Sequence, residues 1–286
     1  MHPIIKAALW MMGTLLSFMA MAVGGRLLSQ ELNTFQILFF RSLVGFCFLA
    51  FLLQRSGWAQ VSTRQFPLHL LRNTAHFGGQ FGWFFGIASL PLAEVFAIEF
   101  TVPLWTAGLA PLLLQERMTG ARFLAVGLGL AGMLLILRPG LAVVHPAALA
   151  VLGGAGCYAL SHTLTRKLTI QDSALAILFY MTAIQLPLGL LLSLNDWVTP
   201  SPALLPWLLL VGLTALSAHY CLARALTLAD VTVVVPLDFL RLPLIALVGF
   251  MFFQEGLDGF VFLGALVMLG GNFVNIRAEK KRSRGE

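Results

Sequence analysis

The sequence predicts an all-α integral membrane protein of ten transmembrane helices, arranged as two inverted five-helix repeats with both termini in the cytoplasm. Three observations support this prediction: an apolar composition, ten apolar runs, and a hexapeptide that occurs twice. Of the 286 residues, 59% are hydrophobic and 10% are charged, whereas roughly a quarter of the residues in a soluble domain are charged. A chain with so few charges cannot cover a globular surface with polar groups, which indicates a membrane protein.

The net charge of +6 does not indicate a nucleic-acid partner, because the basic residues are scattered singly between apolar runs. Five of the 18 Lys and Arg residues lie in the last ten residues, which predicts a cytoplasmic tail beside anionic membrane lipid. The cysteines Cys47, Cys157 and Cys221 fall inside apolar runs, so no disulfide framework is implied. The first 22 residues resemble a signal peptide. We expect them to be retained as a helix, because the repeat described below includes them.

A bilayer core requires about 20 mainly apolar residues per helix. Breaks at charged residues, Pro and Gly give ten such runs, near residues 4–24, 33–53, 68–90, 92–114, 120–137, 147–166, 173–193, 205–224, 229–253 and 258–277. With the N-terminus inside, 14 Lys and Arg residues fall on the cytoplasmic side. Only Arg26 and Arg138 fall on the opposite side, while Arg41 and Arg241 lie within spans. This asymmetry predicts that both termini are cytoplasmic.

The hexapeptide QERMTG at residues 115–120 returns as QEGLDG at residues 254–259. The match extends beyond the hexapeptide, since residues 115–138 and 254–277 share eight of 24 aligned positions. A similarity of this length, with the same spacing throughout, indicates a duplicated segment.

A second pair of matching blocks lies upstream of the first and in the same order. LPLAEV at residues 90–95 matches LTLADV at residues 226–231. The two blocks indicate duplication of a five-helix unit, which predicts one repeat over residues 1–139 and a second over residues 140–286. Because five is odd, the second copy enters the membrane upside down, and inverted repeats are typical of secondary transporters.

The stretch PLWTAGLAPLLLQERMTG, which continues into LGLAGMLLILRPG, is similar to the repeat signature of the drug/metabolite transporter superfamily, EamA type. Ten spans, and a Glu that closes spans four and nine, also resemble that family over essentially the whole chain. The resemblance implies a central cavity built from the first four helices of each repeat. Within the superfamily the chain resembles amino-acid exporters of the YddG type. One departure is Gln115, where many relatives have Gly before the Glu.

Glu116 and Glu255 invite a functional interpretation, but a structural one is favoured. Each Glu precedes a predicted helix, where a negative charge near the helix N-terminus is stabilising. Thr119 and Gly120 have the character of the start of such a helix. We therefore expect both acids to serve as turn and capping residues.

Span three carries a polar stripe, although polar residues are costly inside a bilayer and usually face a cavity or a partner. Asn73, His76, Gln80 and Trp83 step by three, four and three residues, which places them on one helix face. Contacts between packed helices are the alternative explanation. Four members on one face favour a cavity wall.

Span four places Glu99 about eight residues from its outer end, at a depth similar to that of Gln80 in span three. Both side chains are therefore expected to face one chamber. Pro103 and Pro111 lack a backbone donor and should bend or loosen this helix. Trp105 follows the first proline, and its ring is either a cavity wall or a packed core group.

Spans six and eight add further polar aromatic side chains. Tyr158 and His162 share one face of span six, and His219 and Tyr220 lie side by side in span eight. His162 lies near the predicted cytoplasmic end, where a hydrated structural histidine is an equally simple explanation. The histidine and tyrosine of span eight carry the same ambiguity.

Span nine contains Asp238 and Arg241, which are three residues apart and can pair on one helix face. Pro236 and Pro243 bracket them, and irregular backbone at this depth is tolerated only where it is buried in protein or lines a cavity. One hypothesis is an ion pair that only neutralises itself. In the other, Arg241 meets a substrate carboxylate, and Asp238, Glu99 or aromatic faces meet an ammonium group.

These observations predict a secondary transporter of the bacterial inner membrane that exports small metabolites, with amino acids as the favoured class, by alternating access. No phosphate-binding loop, zinc-protease motif or nucleophile elbow occurs, which argues against an enzyme or an ATP-driven motor. No cofactor or metal is expected, and the chain is predicted to act as a monomer or a homodimer. The alternatives are export of drugs, amines or nucleobases, or a polar-lined channel. Proton coupling through Glu99 and His76 and facilitated diffusion fit equally well.

The predicted substrate site consists of Asn73, His76, Gln80, Trp83, Glu99, Trp105, Tyr158, His162, His219, Tyr220, Asp238 and Arg241.

Overall fold

The computed structural model describes residues 3–114, 119–138, 144–229 and 237–283 of the chain. All regular structure within those ranges is helical. The α-helices found there are α1 (Pro3–Leu28), α2 (Thr34–Ser56), α3 (Phe66–Ser89), α4 (Leu92–Glu99), α5 (Val102–Leu114), α6 (Gly120–Leu137), α7 (Pro146–Leu168), α8 (Ala174–Ser193), α9 (Leu205–Leu228), α10 (Arg241–Phe253) and α11 (Gly259–Ser283). Short 3-10 helices cover Trp58–Val61, Leu194–Asp196 and Pro202–Leu204.

Eight helical segments within the described ranges are long and apolar enough to cross a membrane. Predicted spans three and nine are not among them. Helix α3 has Arg72, Asn73, His76 and Gln80 on its buried side, and α10 has only 13 residues. Residues 230–236, at the start of predicted span nine, lie outside the described residues. The count of ten spans therefore stays a prediction.

Polar side chains before the helices determine where several of them begin. Asn33 accepts a hydrogen bond from the backbone N–H of Gln36, and Ser173 accepts one from Ala176. Thr119 accepts one from the backbone N–H of Arg122, so α6 begins where the sequence predicts. Each cap satisfies one of the backbone donors that a helix start leaves without a partner.

The helices pack in pairs that join the two halves of the chain. The most extensive contacts are those of α1 with α9, α3 with α7, α6 with α11, and α2 with α8, and α4 packs against α10. If the two halves exchange roles, the pair of α1 with α9 becomes that of α7 with α3, and the pairs of α2 with α8 and of α6 with α11 become themselves. This pattern is the packing expected of two structurally equivalent repeats.

Glycines allow the closest of these helix contacts. A Cβ on Gly82 of α3 would lie 2.2 Å from the carbonyl oxygen of Ala150 in α7. A Cβ on Gly132 of α6 would lie 2.5 Å from the carbonyl oxygen of Gly264 in α11. Any larger residue would therefore separate the helices, as expected where small residues form a membrane-protein interface.

The turns after α1 and α7 also have the same form. Each turn has five residues, 29–33 and 169–173, and each ends in a residue whose side chain caps the next helix. Arg26 and Arg166 occupy matching positions three residues before these turns. The resemblance between the halves thus extends beyond the two blocks that the sequence comparison found.

The helix of predicted span four is interrupted between α4 and α5, just before Pro103. In a continuous helix the N–H of residue 103 would donate to the carbonyl of Glu99, but proline has no N–H. Pro243 has the same relation to Phe239, which lies in the turn that precedes α10. The rings of Phe100 and Phe239 stack at 4.1 Å between centroids, so the two interruptions meet. The predicted loosening by Pro103 is confirmed, whereas α5 continues past Pro111.

Candidate functional site

A cavity of about 230 Å³ lies between the helices, next to the two interruptions. Its walls come from α1, α2, α3, α4, α5, α7, α9, α10 and the turn before α10, so both halves of the chain contribute. The predicted site residues that line it are His76, Gln80, Trp83, Glu99, Tyr158, His162, His219, Asp238 and Arg241. The structure therefore brings together side chains from five separate predicted spans.

A charged network occupies one part of the cavity wall. Arg241 donates from Nη2 to Asp238 Oδ2 at 2.8 Å, and its Nη1 lies 3.6 Å from Glu99 Oε1. The indole Nε1 of Trp83 donates to Glu99 Oε2 at 2.9 Å. The pairing of Asp238 with Arg241 that the spacing predicts is thus present, and Glu99 joins it from a different helix.

Aromatic rings surround the Arg241 guanidinium. Its central carbon lies 4.6 Å from the ring centroid of Phe18, 5.6 Å from that of Phe96 and 5.4 Å from that of Phe100. A guanidinium at these distances is attracted to the faces of aromatic rings, more strongly where water is excluded. Arg241 is therefore fixed by two carboxylates and three rings.

A second part of the wall is formed by imidazole and phenol rings. The centroid of His76 lies 5.4 Å from that of Tyr158 and 6.1 Å from that of His219, and Tyr158 stacks with His162 at 6.2 Å. These four side chains come from α3, α7 and α9. They present several hydrogen-bonding atoms to the cavity.

A buried glutamine determines the tautomer of His76. Nε2 of Gln185 lies 3.1 Å from the backbone oxygen of Asn73 and 3.0 Å from Nδ1 of His76. The backbone oxygen can only accept, so the glutamine atom facing it is the amide nitrogen, which then also donates to Nδ1. His76 Nδ1 is therefore an acceptor, and the proton of the neutral ring is on Nε2.

Three predicted site residues lie away from the cavity. Asn73 is buried, but its Oδ1 accepts from Arg72 at 2.6 Å inside the packed helices. Trp105 is 42% exposed and lines a separate apolar pocket between α5 and α6, while Tyr220 is 56% exposed and packs against Trp10.

The helical period explains the placement of the two aromatic residues. Trp105 lies two residues after Pro103, and Tyr220 lies one residue after His219. Residues one or two positions apart do not share a helix face. Pro103 and His219 line the cavity, so Trp105 and Tyr220 turn away from it.

The predicted site omits nine of the side chains that line the cavity, and the charged and aromatic ones among them are Phe18, Arg41, Phe84, Phe100 and Phe239. The phenylalanines carry no signal that separates them from the other apolar residues of their spans. Arg41 does carry one, because a charged residue inside a membrane helix usually faces a cavity or a partner. Arg41 comes from α2 and is 5% exposed.

A second charged cluster joins the ends of four helices. Arg26, near the end of α1, forms an ion pair with Glu255 Oε1 at 2.9 Å and donates to the backbone oxygen of Leu90. Glu255 Oε2 accepts the backbone N–H of Leu92 at 2.8 Å. We refer to Arg26, Leu90, Leu92 and Glu255 as the interhalf clasp, because Glu255 belongs to the second half of the chain and the others to the first.

The clasp corrects the sequence interpretation of Glu255. This residue is a capping acid, but it caps α4 from the other half of the chain instead of the helix that follows it. The next helix, α11, has its own acid, since Asp258 Oδ1 accepts the backbone N–H of Phe260. Glu116, the counterpart of Glu255 in the first half, lies outside the described residues.

Within the described ranges, no three His, Cys, Asp or Glu side chains come close enough together to hold a metal ion. The side chains that line the cavity are instead charge pairs, imidazoles and aromatic rings. Such groups can bind and orient an organic solute by hydrogen bonds, ion pairs and ring contacts.

Comparisons with known proteins identify relatives that are transporters of organic solutes. The model of the EamA-like transporter family matches the chain twice, over residues 5–138 and 145–277. The S-adenosylmethionine uptake transporter of Rickettsia prowazekii (strain Madrid E) is 26% identical over 95% of this chain and 92% of its own. The riboflavin transporter of Vibrio cholerae is 34% identical over 78% of this chain and 76% of its own. The pseudopaline exporter of Pseudomonas aeruginosa is 26% identical over 84% and 85%, respectively.

A solved crystal structure has the same fold. It is 17% identical in sequence, covers 96% of this chain and 98% of its own, and superposes with a TM-score of 0.66. This similarity concerns the fold alone, while the family match covers nearly the whole of both halves. The chain therefore belongs to the EamA-like transporter family of the drug/metabolite transporter superfamily.

Proposed function

We propose that this chain is a secondary transporter of the bacterial inner membrane that moves small amino-acid-type metabolites by alternating access. Ten spans, repeats over residues 1–139 and 140–286 in inverted orientation, and cytoplasmic termini are part of the proposal. The observation that carries it is the cavity of about 230 Å³ whose charged wall joins the two halves through Glu99 and Arg241. Binding sites of drug-sized ligands measure roughly 300–1,000 Å³, so this cavity suits a smaller solute.

The charges of the cavity support an amino-acid-type solute. Arg41 and Arg241 offer positive groups, and Glu99 and Asp238 offer negative ones. An amino acid carries both a carboxylate and an ammonium group, and each would find an opposite charge here. The rings of His76, Tyr158 and His219 would then contact the remaining part of the solute.

The names of the relatives supply specific candidates. S-adenosylmethionine carries an amino-acid group and a positive sulfonium, so it matches the charges of the cavity, but it is drug-sized and would need the cavity of about 230 Å³ to widen. Riboflavin is uncharged and would rely on the aromatic walls. These relatives are named for S-adenosylmethionine, riboflavin and pseudopaline, so the proposal of free amino acids rests on the cavity.

The positions of the clasp and of the interruptions support the proposed mechanism. We propose that the two repeats rock against each other, and that the interhalf clasp opens when the cavity turns to the predicted external side. Movement at the interruptions costs few helical hydrogen bonds, because Pro103 and Pro243 already lack the donor. Export is the proposed direction, although the relatives include both uptake and export proteins.

Counterflow in proteoliposomes tests this proposal. Vesicles are loaded with unlabelled methionine, phenylalanine, S-adenosylmethionine or riboflavin, and entry of the same labelled solute is followed, with protein-free vesicles as the control. We expect saturable entry that is accelerated by the internal solute. Rapid flux of many solutes without saturation or exchange would instead support a channel, which is the second candidate function.

Coupling is tested in the same vesicles. Glu99 and His76 are the proposed proton carriers, and facilitated diffusion is the alternative. An imposed pH gradient that drives accumulation above the equilibrium level would support coupling. Equal internal and external levels under that gradient would support facilitated diffusion.

A further inference from the structure

The two arginines that face the cavity have different surroundings. Arg241 contacts two carboxylates and three aromatic rings. Arg41 is equally buried, but it forms no ion pair with any Asp or Glu of the described residues, and its Nε has no hydrogen-bond partner. A buried charge without a partner is costly. Its place in the cavity wall gives it access to a solute.

Two other polar groups of the same cavity also lack partners. Both amide atoms of Gln80 are buried without a hydrogen bond, and so is Oδ1 of Asp238. Gln80 offers a donor and an acceptor, whereas Asp238 Oδ1 accepts only. Buried polar atoms normally have partners. These unpaired atoms therefore indicate where a bound solute would place its own polar groups.

We propose that Arg41, assisted by Gln80, binds the carboxylate of the substrate, and that Asp238 and Glu99 receive its cationic group. This assignment rests on the proposed function and deepens it, because it names the chemical class of the solute. A guanidinium binds a carboxylate through two parallel hydrogen bonds, which also fixes the orientation of the carboxylate.

The balance of charge around the cavity supports this assignment. When both carboxylates are ionised, Arg241, Glu99 and Asp238 together carry one positive and two negative charges, so this group has an excess of one negative charge. Arg41 carries one positive charge of its own. A solute with a carboxylate at one end and a cationic group at the other would neutralise both, whereas an uncharged solute would leave both unmatched.

Arg241 thereby acquires a role different from the one that its sequence suggests. The sequence hypothesis assigns the substrate carboxylate to Arg241. In the structure Arg241 already has two carboxylates as partners, and a third would have to displace one of them. Arg41 has no such competitor among the described residues, so it is the better anchor.

The experiment compares solutes that differ only in the carboxylate. The probe pairs are S-adenosylmethionine with its decarboxylated form, and methionine with 3-(methylthio)propylamine.

The variants are Arg41→Met, which removes the charge, and Arg41→Lys, which keeps the charge but cannot form the bidentate hydrogen bonds of a guanidinium. Arg55→Met is the matched control, because Arg55 is an exposed arginine on the same helix, outside the cavity. Both counterflow and binding to the detergent-solubilised protein, read by tryptophan fluorescence, are measured.

The native protein is expected to prefer at least one carboxylate-bearing probe over its decarboxylated partner. Arg41→Met should weaken binding of the preferred probe about ten- to hundredfold, the scale of a charge-assisted hydrogen-bond pair. It should leave the decarboxylated partner unchanged, so that the preference disappears. Arg41→Lys should retain part of the preference, and Arg55→Met all of it.

Three results would overturn the assignment. One is equal binding of both members of each pair by the native protein, and another is an equal loss of both members in Arg41→Met. The third is exchange of riboflavin without any binding of the charged probes, which would leave a transporter with a different substrate class. Carboxylate-dependent binding without counterflow would instead preserve the role of Arg41 and contradict the proposed transport.

Discussion

Glu255 accepts the backbone N–H of Leu92 at 2.8 Å, so a carboxylate from the second half of the chain caps a helix of the first half. The other oxygen of the same carboxylate pairs with Arg26. A Cβ on Gly249 would lie 2.2 Å from this carboxylate, so glycine is required beside it. The clasp is thus a specific contact between the halves, and the proposed rocking movement would have to break it.

The first prediction concerns this clasp. Glu255→Gln removes a charge from a poorly exposed ion pair and should lower stability by about 1–3 kcal/mol, the cost of leaving a charged partner unsatisfied. Thermal unfolding of Glu255→Gln, Arg26→Gln and the double variant measures it. Because the residues act together, the double variant should be little worse than either single one. Fully additive losses would show that the ion pair does not couple the halves.

Arg241→Ala is expected to abolish counterflow. The substitution leaves the carboxylates of Glu99 and Asp238 without their cation inside the protein, so the melting temperature should fall as well. Adding Asp238→Asn should recover most of the melting temperature without recovering transport. Normal counterflow in Arg241→Ala would contradict a role for this network in transport.

The prolines at the two interruptions give a prediction about rate. Pro103→Ala restores a backbone donor to the carbonyl of Glu99, and Pro243→Ala restores one to that of Phe239. Each should favour a continuous helix, raise the melting temperature and slow exchange with little change in the half-saturating concentration. The expected physical cause is a higher cost of bending a repaired helix. A faster or unchanged exchange rate in both variants would argue against movement at these positions.

Arg41→Met is expected to be at least as stable as the native protein when no substrate is present. The substitution removes a buried charge that has no acidic partner among the described residues, and methionine fills a similar volume. Added substrate should raise the melting temperature of the native protein but much less that of the variant. A large loss of stability without substrate would mean that Arg41 is a structural residue.

Trp105→Leu and Tyr220→Leu should leave counterflow within about twofold of the native rate, since surface substitutions usually have small effects. Both side chains are largely exposed and lie away from the cavity. Tyr158→Leu, which changes a side chain of the cavity wall, is the matched comparison and should impair exchange. Loss of exchange in Trp105→Leu would show that the apolar pocket between α5 and α6 takes part in transport.

The sequence by itself determined the membrane environment, the duplicated segments and most of the polar residues of the cavity. The scarcity of charge and the lengths of the apolar runs follow from the bilayer, which imposes the same requirement on every span. A polar residue in such a span stands out against its neighbours. For this reason Gln80, Glu99 and Arg241 were recognisable before any contact was known.

Only the tertiary structure decided which helix faces meet and which charges are already satisfied. Tyr220 and His219 are neighbours in sequence, but the way α9 packs turns His219 towards the cavity and leaves Tyr220 exposed. The sequence shows Arg41 and Arg241 as two similar arginines within spans. Partners from distant segments distinguish them: Glu99 reaches Arg241 from another helix, while no acidic side chain of the described residues pairs with Arg41. Such contacts depend on how the helices pack, which local patterns in the sequence do not specify.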